Sequence, residues 1–165
     1  MGTLIATKLR PPRLREGYMT RPRLLAQLDR GLAQGLILIS APAGYGKTSL
    51  AADWLRQRPA LTTAWVSLDE TDNDLDVFLR YVTTAVHNAF PQERPCANTQ
   101  TLLNAPQPPP LETITNTLIN DLTYLPHALL LVLDDYHLIT LPAIQQVTAA
   151  LIRHLPATLR LLLIT

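Results

Sequence analysis

The stretch Ala41–Thr48 has residue types and a spacing suited to binding a phosphate group. Its sequence, APAGYGKT, matches the pattern G-x-x-x-x-G-K-[ST] except at the first position, where alanine replaces glycine. Glycines let consecutive backbone N–H groups converge on an anion, and a helix N-terminus adds partial positive charge. Lys47 would place a point charge on the β and γ phosphates, and the Thr48 hydroxyl would ligate Mg²⁺. The pattern therefore predicts a nucleotide-binding loop.

A pair of acids, Asp134 and Asp135, follows directly after the apolar run at residues 129–133. An enzyme with a phosphate-binding loop needs a carboxylate at the end of a neighbouring strand to hold the metal ion or its water. Asp134 has that position, and Asp135 could orient and deprotonate an attacking water. The alternative is that two carboxylates simply end a strand and start a turn, and the pair alone is a weak signal.

The hydrophobic pattern supplies the elements that must position these two motifs. Apolar and β-branched runs predict strands at residues 36–39, 62–68, 129–133 and 159–165. Helical spacing predicts helices at residues 22–34, 48–58, 75–90, 111–122 and 142–155. Because strands and helices alternate, we expect right-handed crossovers and a parallel, doubly wound sheet with helices on both faces. The predicted fold class is α/β.

Two stretches lead to more specific expectations. Residues 36–39 form an unbroken apolar run, which predicts a strand buried on both faces. Residues 91–110 hold six of the 14 prolines and predict a long loop with one short turn at 101–104.

Composition excludes several other classes of protein. The chain has 165 residues, about one domain, and 47% of them are hydrophobic. No apolar run approaches the ~18 residues that a membrane-spanning helix needs. A single cysteine, Cys96, excludes an internal disulfide framework, and the N-terminus lacks the apolar core of a secretory signal. We therefore expect a cytoplasmic protein without membrane partners.

The formal net charge of +1 hides a strong asymmetry along the chain. Residues 1–58 carry ten basic and three acidic side chains, whereas residues 59–165 carry four and ten. The first 20 residues are basic, contain proline and show weak periodicity. They predict an extended N-terminal arm (1–20) that does not pack as an element, followed by the domain (21–165). Apart from Tyr18 the arm lacks interleaved aromatic residues, and no helix-turn-helix signature follows, so we expect no direct DNA contact from it.

Other polar residues give weaker signals. Asp72, Asp74 and Asp76 resemble the start of a calcium loop, but valine replaces its glycine and threonine replaces its final glutamate, so helix capping is the better explanation. His137 could sense phosphate or order its loop, although a lone histidine is more often structural. The other three histidines have no partners at zinc-ligand spacing.

Several stretches taken together resemble one family. In chain order they are TKLRPPRLREGYMTRPRLLAQLDRGL, LILISAPAGYGKTSLAADW, AWVSLDETDNDLDVFLRYV, QPPPLETITNTLINDL and LLLVLDDYHLI. They resemble the N-terminal ATPase domain of MalT-like, LuxR-type transcriptional regulators, which belong to the STAND class of P-loop NTPases. The resemblance extends from about Thr7 to Thr165. In that family the first loop residue is often not glycine, which agrees with Ala41.

The resemblance implies a nucleotide switch that uses ATP, ADP and Mg²⁺. Mg²⁺ would be held by Thr48 and Asp134, water would be managed by Asp135, and Lys47 would act in catalysis beside it. The segment from Arg21 to Leu24 resembles the part that closes over the adenine. The expected nucleotide-binding residues are Ala43, Gly44, Tyr45, Gly46, Lys47, Thr48, Ser49 and Arg21. ADP would keep such a protein monomeric and inactive, and ATP with an inducer would allow self-association and DNA binding, with slow hydrolysis as a timer.

One departure from the family leaves alternatives open. The sequence contains four of the family's strands, with the fourth expected between the first and third. It lacks the expected fifth strand and the sensor and DNA-binding domains, so we expect a truncated chain. A small-molecule phosphotransferase shares the phosphate loop, but residues 59–165 offer only four arginines for a lid. A catalytically silent interaction fragment is the third hypothesis.

Overall fold

Four parallel strands form the central sheet of the part of the chain that the structure, a computed structural model, describes, residues 4–165. The strands are β1 (Leu36–Ile39), β2 (Thr63–Ser67), β3 (Leu129–Asp134) and β4 (Leu159–Ile164). Their order in the sheet is β1-β4-β3-β2, and every pairing is parallel. The predicted α/β fold with a parallel sheet of the P-loop NTPase type is confirmed, including the fourth strand between the first and third. Residues 1–3 of the predicted arm lie outside the described residues.

Six α-helices connect and cover the strands of the described chain. They are α1 (Pro22–Gln34), α2 (Lys47–Arg56), α3 (Leu75–Ala89), α4 (Ala97–Leu103), α5 (Leu111–Thr123) and α6 (Pro142–Arg153). Proline at the first position begins both α1 and α6, where its missing N–H costs no hydrogen bond. The Asp74 side chain accepts a hydrogen bond from the Val77 N–H and caps α3, as the sequence predicted.

The two faces of the sheet carry separate cores. Alternate residues of a strand point to opposite faces, and β3 shows this directly because Leu129, Leu131 and Leu133 pack with α3, α5 and α6. Leu130 and Val132 face the other way and pack with α1 and α2. Trp54 and Trp65 are fully buried in this second core. Helices on both faces therefore bury β3 on each side, which explains its unbroken apolar sequence.

Strand β1 differs from its prediction. It lies at the edge of the described sheet and pairs with β4 alone. Ile37 is buried against the core of α1 and α2, but Leu36 is 38% exposed and Leu38 is 62% exposed. The prediction of burial on both faces was wrong, because an apolar run does not by itself reveal whether both faces of a strand are covered.

The long loop predicted at residues 91–110 is also wrong in part. Residues 97–103 form α4, a longer helix than the expected turn at 101–104. The Asp121 carboxylate on α5 accepts hydrogen bonds from the Thr99 backbone N–H (2.8 Å) and hydroxyl (2.7 Å). These bonds join residues far apart in sequence, so local periodicity could not reveal the helix.

Part of the N-terminal arm packs against the domain. Residues Ala6–Leu9 form a 3₁₀ helix, and Lys8 is buried there beside Asp69 and Asp72. The expectation that the arm makes no packed element was therefore wrong for these residues. Lysine is seldom buried without a paired charge, and the acids that pair with Lys8 come from a turn distant in sequence.

The two-sided core gives a matched pair of stability predictions. Leu162→Ala removes a fully buried side chain of β4 and should lower the free energy of unfolding by about 2–5 kcal/mol. Leu38→Ala, at the 62% exposed edge position, should lower it by less than about 1 kcal/mol. Urea unfolding measures both. Equal losses in the two variants would contradict this description of the sheet.

Candidate functional site

The loop between β1 and α2 has a backbone that requires glycine at two positions. Gly44 has φ +83° and Gly46 has φ +73°, both in the left-handed region that side chains disfavour. A Cβ at Gly46 would also lie 3.1 Å from Nη2 of Arg21. Helix α2 begins at the next residue, Lys47, so the loop leads directly into a helix N-terminus. Gly46, the glycine of the sequence pattern, and Gly44, at one of its variable positions, thus both have a structural reason.

A cavity of about 910 Å³, here called the phosphate cavity, opens above this loop. It lies at the carboxyl ends of β1, β3 and β4, the edge at which ligands bind in open α/β sheets. Seven of the predicted site residues line it: Ala43, Gly44, Gly46, Lys47, Thr48, Ser49 and Asp135. Ser40, Ala41, Arg15, His137 and Thr165 also line it. The structure therefore brings most of the predicted residues around one cavity.

The Lys47 side chain contacts the backbone of the loop that precedes it. Its Nζ donates hydrogen bonds to the backbone oxygens of Ala41 (2.7 Å) and Pro42 (3.2 Å). Because the side chain is at the first residue of α2 and lines the phosphate cavity, its ammonium and the helix N-terminus contribute positive charge at the same place.

Asp134 is the last residue of β3 and lies beneath the cavity, 2% exposed. Its Oδ1 accepts hydrogen bonds from the Thr48 hydroxyl (2.9 Å) and the Asp135 backbone N–H (3.0 Å). Burial raises the pKa of Asp134 to about 6; the Thr48 hydrogen bond opposes this rise and the Asp135 charge adds to it. The two motifs predicted from sequence therefore meet at one hydrogen bond.

The donor set at this hydrogen bond suits Mg²⁺. A hydroxyl and a carboxylate are oxygen ligands, and Mg²⁺ in phosphate sites commonly takes one or two protein oxygens together with water and phosphate. Within residues 4–165, no group of three or more His, Cys, Asp or Glu side chains is placed to hold a metal ion on protein ligands alone. Thr48 and Asp134 fit the role that the sequence predicted for them.

Asp135 and His137 form the opposite rim of the phosphate cavity. Asp135 has φ +55°, an uncommon backbone conformation for a residue with a side chain, and begins the short 3₁₀ helix Tyr136–Leu138. Its Oδ1 lies 4.0 Å from Nδ1 of His137, and both side chains are about half exposed. Both can therefore reach a ligand in the cavity.

Two predicted residues, Arg21 and Tyr45, lie beside the phosphate cavity and do not line it. Arg21 Nη1 donates to the Tyr45 carbonyl oxygen at 3.1 Å, which braces the loop from outside. Both residues line a neighbouring cavity of about 400 Å³ with Leu24 and Leu28 of α1. The structure thus places Arg21 against the loop backbone.

Sequence reasoning missed the position of Arg15. This arm residue lines the phosphate cavity and also a cavity of about 690 Å³ between the arm and α2, with Tyr18, Ala52 and Leu55 among its walls. The clustered positive charge of the arm was a signal for some role near an anion, but it did not single out one arginine. Ser40 and Thr165 gave no signal, because only strand pairing places them at the cavity.

We expect the buried charge of Asp134 to lower the stability of the fold. A carboxyl whose pKa is raised on folding destabilises the fold increasingly as pH rises from its unfolded value of 3.8 to about 6. Asp134→Asn keeps an oxygen for Thr48 and removes the charge, so it should raise the free energy of unfolding at pH 7.5 by about 1–3 kcal/mol. Urea unfolding at pH 7.5 and pH 4 measures this, and the gain should largely vanish at pH 4. A loss of stability at pH 7.5 would contradict the prediction.

Comparison with known proteins finds relatives of this chain. No protein-family model matches the sequence. The chain is 37% identical over 162 residues to the HTH-type transcriptional regulator MalT of Cronobacter sakazakii, covering 98% of this chain and 18% of the relative. The MalT proteins of Yersinia pestis (36%, 162 residues, 98% and 18%) and Vibrio campbellii (34%, 155 residues, 94% and 17%) are similar in the same way.

The chain thus spans less than a fifth of the length of these relatives. No helix in residues 4–165 has the length and hydropathy needed to cross a membrane. Over nearly its whole length, the chain is homologous to a segment of the MalT-type transcriptional regulators.

Proposed function

We propose that this segment is an ATP- and ADP-binding switch module of a MalT-type transcriptional regulator. The observation that carries the proposal is the 2.9 Å hydrogen bond between Thr48 and Asp134. It joins the phosphate loop to the acid pair beneath a cavity that Lys47 also lines. Homology to MalT supports a regulator, and the geometry supports a nucleotide as its ligand.

The loop and Lys47 would hold the phosphates. Backbone N–H groups around Gly44 and Gly46 and the N-terminus of α2 stabilise the negative charge, and the Lys47 ammonium adds a charge-assisted hydrogen bond. Thr48 and Asp134 would hold Mg²⁺, which supplies neutralisation of phosphate charge when bound. Arg21 and Tyr45, at the outer side of the loop, would contact the remainder of the nucleotide.

Asp135 would orient the water that attacks the terminal phosphate. Its half-exposed carboxylate lies on the cavity rim, one residue beyond the proposed metal ligand Asp134. A carboxylate at this position can accept the proton of that water. Since aspartate is short and His137 is 4.0 Å away, without a hydrogen bond to Asp135, we expect slow hydrolysis that suits a timer.

The wider role of the parent protein belongs to the same proposal. ATP would favour self-association and ADP would favour the monomer, in the cytoplasm, with DNA contacts made outside this segment. The switch requires that the two nucleotides stabilise different conformations of the site. A ligand with equal affinity for both conformations does not shift the equilibrium between them.

The first prediction concerns nucleotide affinity. Lys47→Ala removes the charge that faces the phosphates and should weaken binding of a fluorescent ATP analogue with Mg²⁺ at least about tenfold. Arg30→Ala removes one positive charge from the exposed face of α1 and is the matched control, with affinity within about twofold of wild type. Titration by fluorescence anisotropy measures both. Equal affinities in wild type and Lys47→Ala would refute the nucleotide site.

The second prediction separates hydrolysis from binding. Asp135→Asn keeps the size of the side chain and removes its basicity, so phosphate release should fall at least about 100-fold while ATP affinity changes little. Asp76→Asn, at an exposed position on α3 paired with Arg80, is the control and should keep the wild-type rate. Turnover retained in Asp135→Asn would exclude Asp135 as the base, and no turnover in wild type would refute the hydrolysis but not the binding.

A further inference from the structure

The turn between β2 and α3, residues Asp69–Asn73, contacts two segments that are distant from it in sequence. One is the N-terminal arm at Lys8, and the other is the loop after β3, from Leu138 to Leu141. We call Asp69–Asn73 the clamp turn. None of its residues lines the phosphate cavity.

The arm side of the clamp turn is a buried ion pair. Lys8 Nζ lies 2.5 Å from Asp72 Oδ2 and 2.9 Å from Asp69 Oδ2. It also lies 4.8 Å from the centre of the Tyr81 ring. Asp72 is 1% exposed, and its Oδ2 accepts a further hydrogen bond from the Asp69 N–H at 2.8 Å. Detaching the arm would leave the Asp72 charge buried without its partner, which is costly. The arm is therefore held firmly at Lys8.

The loop side depends on one carboxamide. The Asn73 Oδ1 accepts hydrogen bonds from the backbone N–H groups of Thr140 (2.7 Å) and Leu141 (3.0 Å). Its Nδ2 donates to the Leu138 carbonyl oxygen at 2.8 Å. A single side chain thus binds three backbone groups in the loop that joins β3 to α6. This loop begins at Asp135, directly after Asp134 at the end of β3.

Both segments held by the clamp turn supply walls of the phosphate cavity. The arm contributes Arg15 and the loop contributes Asp135 and His137, while the remaining walls come from residues 40–49 and Thr165. The arm wall carries a positive charge and the loop wall carries a carboxylate. A shift of either wall would change the electrostatics at the phosphates.

We propose that Asn73 and Lys8 are positioning residues. Through them the clamp turn fixes the position of the arm wall relative to the acid-bearing wall of the phosphate cavity. The expected effect on nucleotide binding rests on the proposed function, whereas the mechanical coupling between the arm and the loop does not. Asn73 positions the loop that follows the proposed metal ligand Asp134, and Lys8 positions the arm. Loosening either contact therefore loosens both walls.

The first test uses Asn73→Ala, with Asn98→Ala as the matched control. Asn98 donates to Asp121 far from the cavity, so its loss removes an asparagine hydrogen bond without touching the clamp turn. Hydrogen exchange at the Thr140 and Leu141 amides should become about tenfold faster in Asn73→Ala and remain unchanged in Asn98→Ala. Exchange that stays slow in Asn73→Ala would overturn the proposal.

The same variants report on the site itself. The affinity for a fluorescent ATP analogue is measured with Mg²⁺ and with EDTA. The ratio of the affinity in Mg²⁺ to the affinity in EDTA gives the contribution of the metal. In Asn73→Ala this ratio should fall at least about threefold, with the EDTA affinity near that of wild type. A merely structural role would lower the unfolding midpoint without changing the ratio. An unchanged ratio in Asn73→Ala would therefore overturn the positioning role.

The second test asks whether the arm is coupled to the loop. Lys8→Met leaves Asp72 unpaired, so it is compared with the double variant Lys8→Met/Asp72→Asn, which buries no charge. Exchange at residues 138–141 should rise at least about threefold in the double variant, although in residues 4–165 neither substituted side chain hydrogen-bonds to that loop. Unchanged exchange there would overturn the coupling. If the wild-type protein binds no nucleotide, the proposed function fails. The exchange rates alone then test whether the clamp turn holds the loop and the arm.

Discussion

The parallel pairing of the strands is the constraint on which the site depends. Because β1, β3 and β4 all run in the same direction, their carboxyl ends meet at one edge of the sheet. The phosphate loop follows β1 and the acid pair ends β3, with β4 between those two strands. This order brings Thr48 within 2.9 Å of Asp134, although 86 residues separate them in sequence. The other site residues are arranged around that contact.

Two buried acids, Asp134 and Asp72, differ in how their charge is compensated. Asp134 is buried with a hydroxyl and a backbone N–H as partners and no cation, so burial raises its pKa to about 6. Asp72 is as deeply buried, but Lys8 pairs with it directly. An isolated buried carboxylate lowers stability. The fold tolerates this cost at Asp134, where a divalent cation would relieve it, and avoids it at Asp72.

The loop glycines and the clamp turn represent two ways of controlling a backbone. Gly44 and Gly46 permit the left-handed conformations that the loop between β1 and α2 adopts. Asn73 instead holds the loop after β3 by hydrogen bonds to backbone groups that have no strand partner there. Local sequence encodes the first arrangement, whereas the second exists only when two distant segments are brought together.

The sequence by itself determined the element types, the parallel α/β fold and the residues of the phosphate loop, because helical and strand periodicity and the glycine–lysine spacing are local properties. It also identified Asp134 and Asp135, since an apolar strand ending in acids is visible in a few residues. Only the tertiary structure decided that one face of β1 is exposed, that α4 forms against Asp121, and that the arm is anchored through Lys8. Each of these depends on partners far along the chain, and a local pattern carries no information about which distant groups will be neighbours.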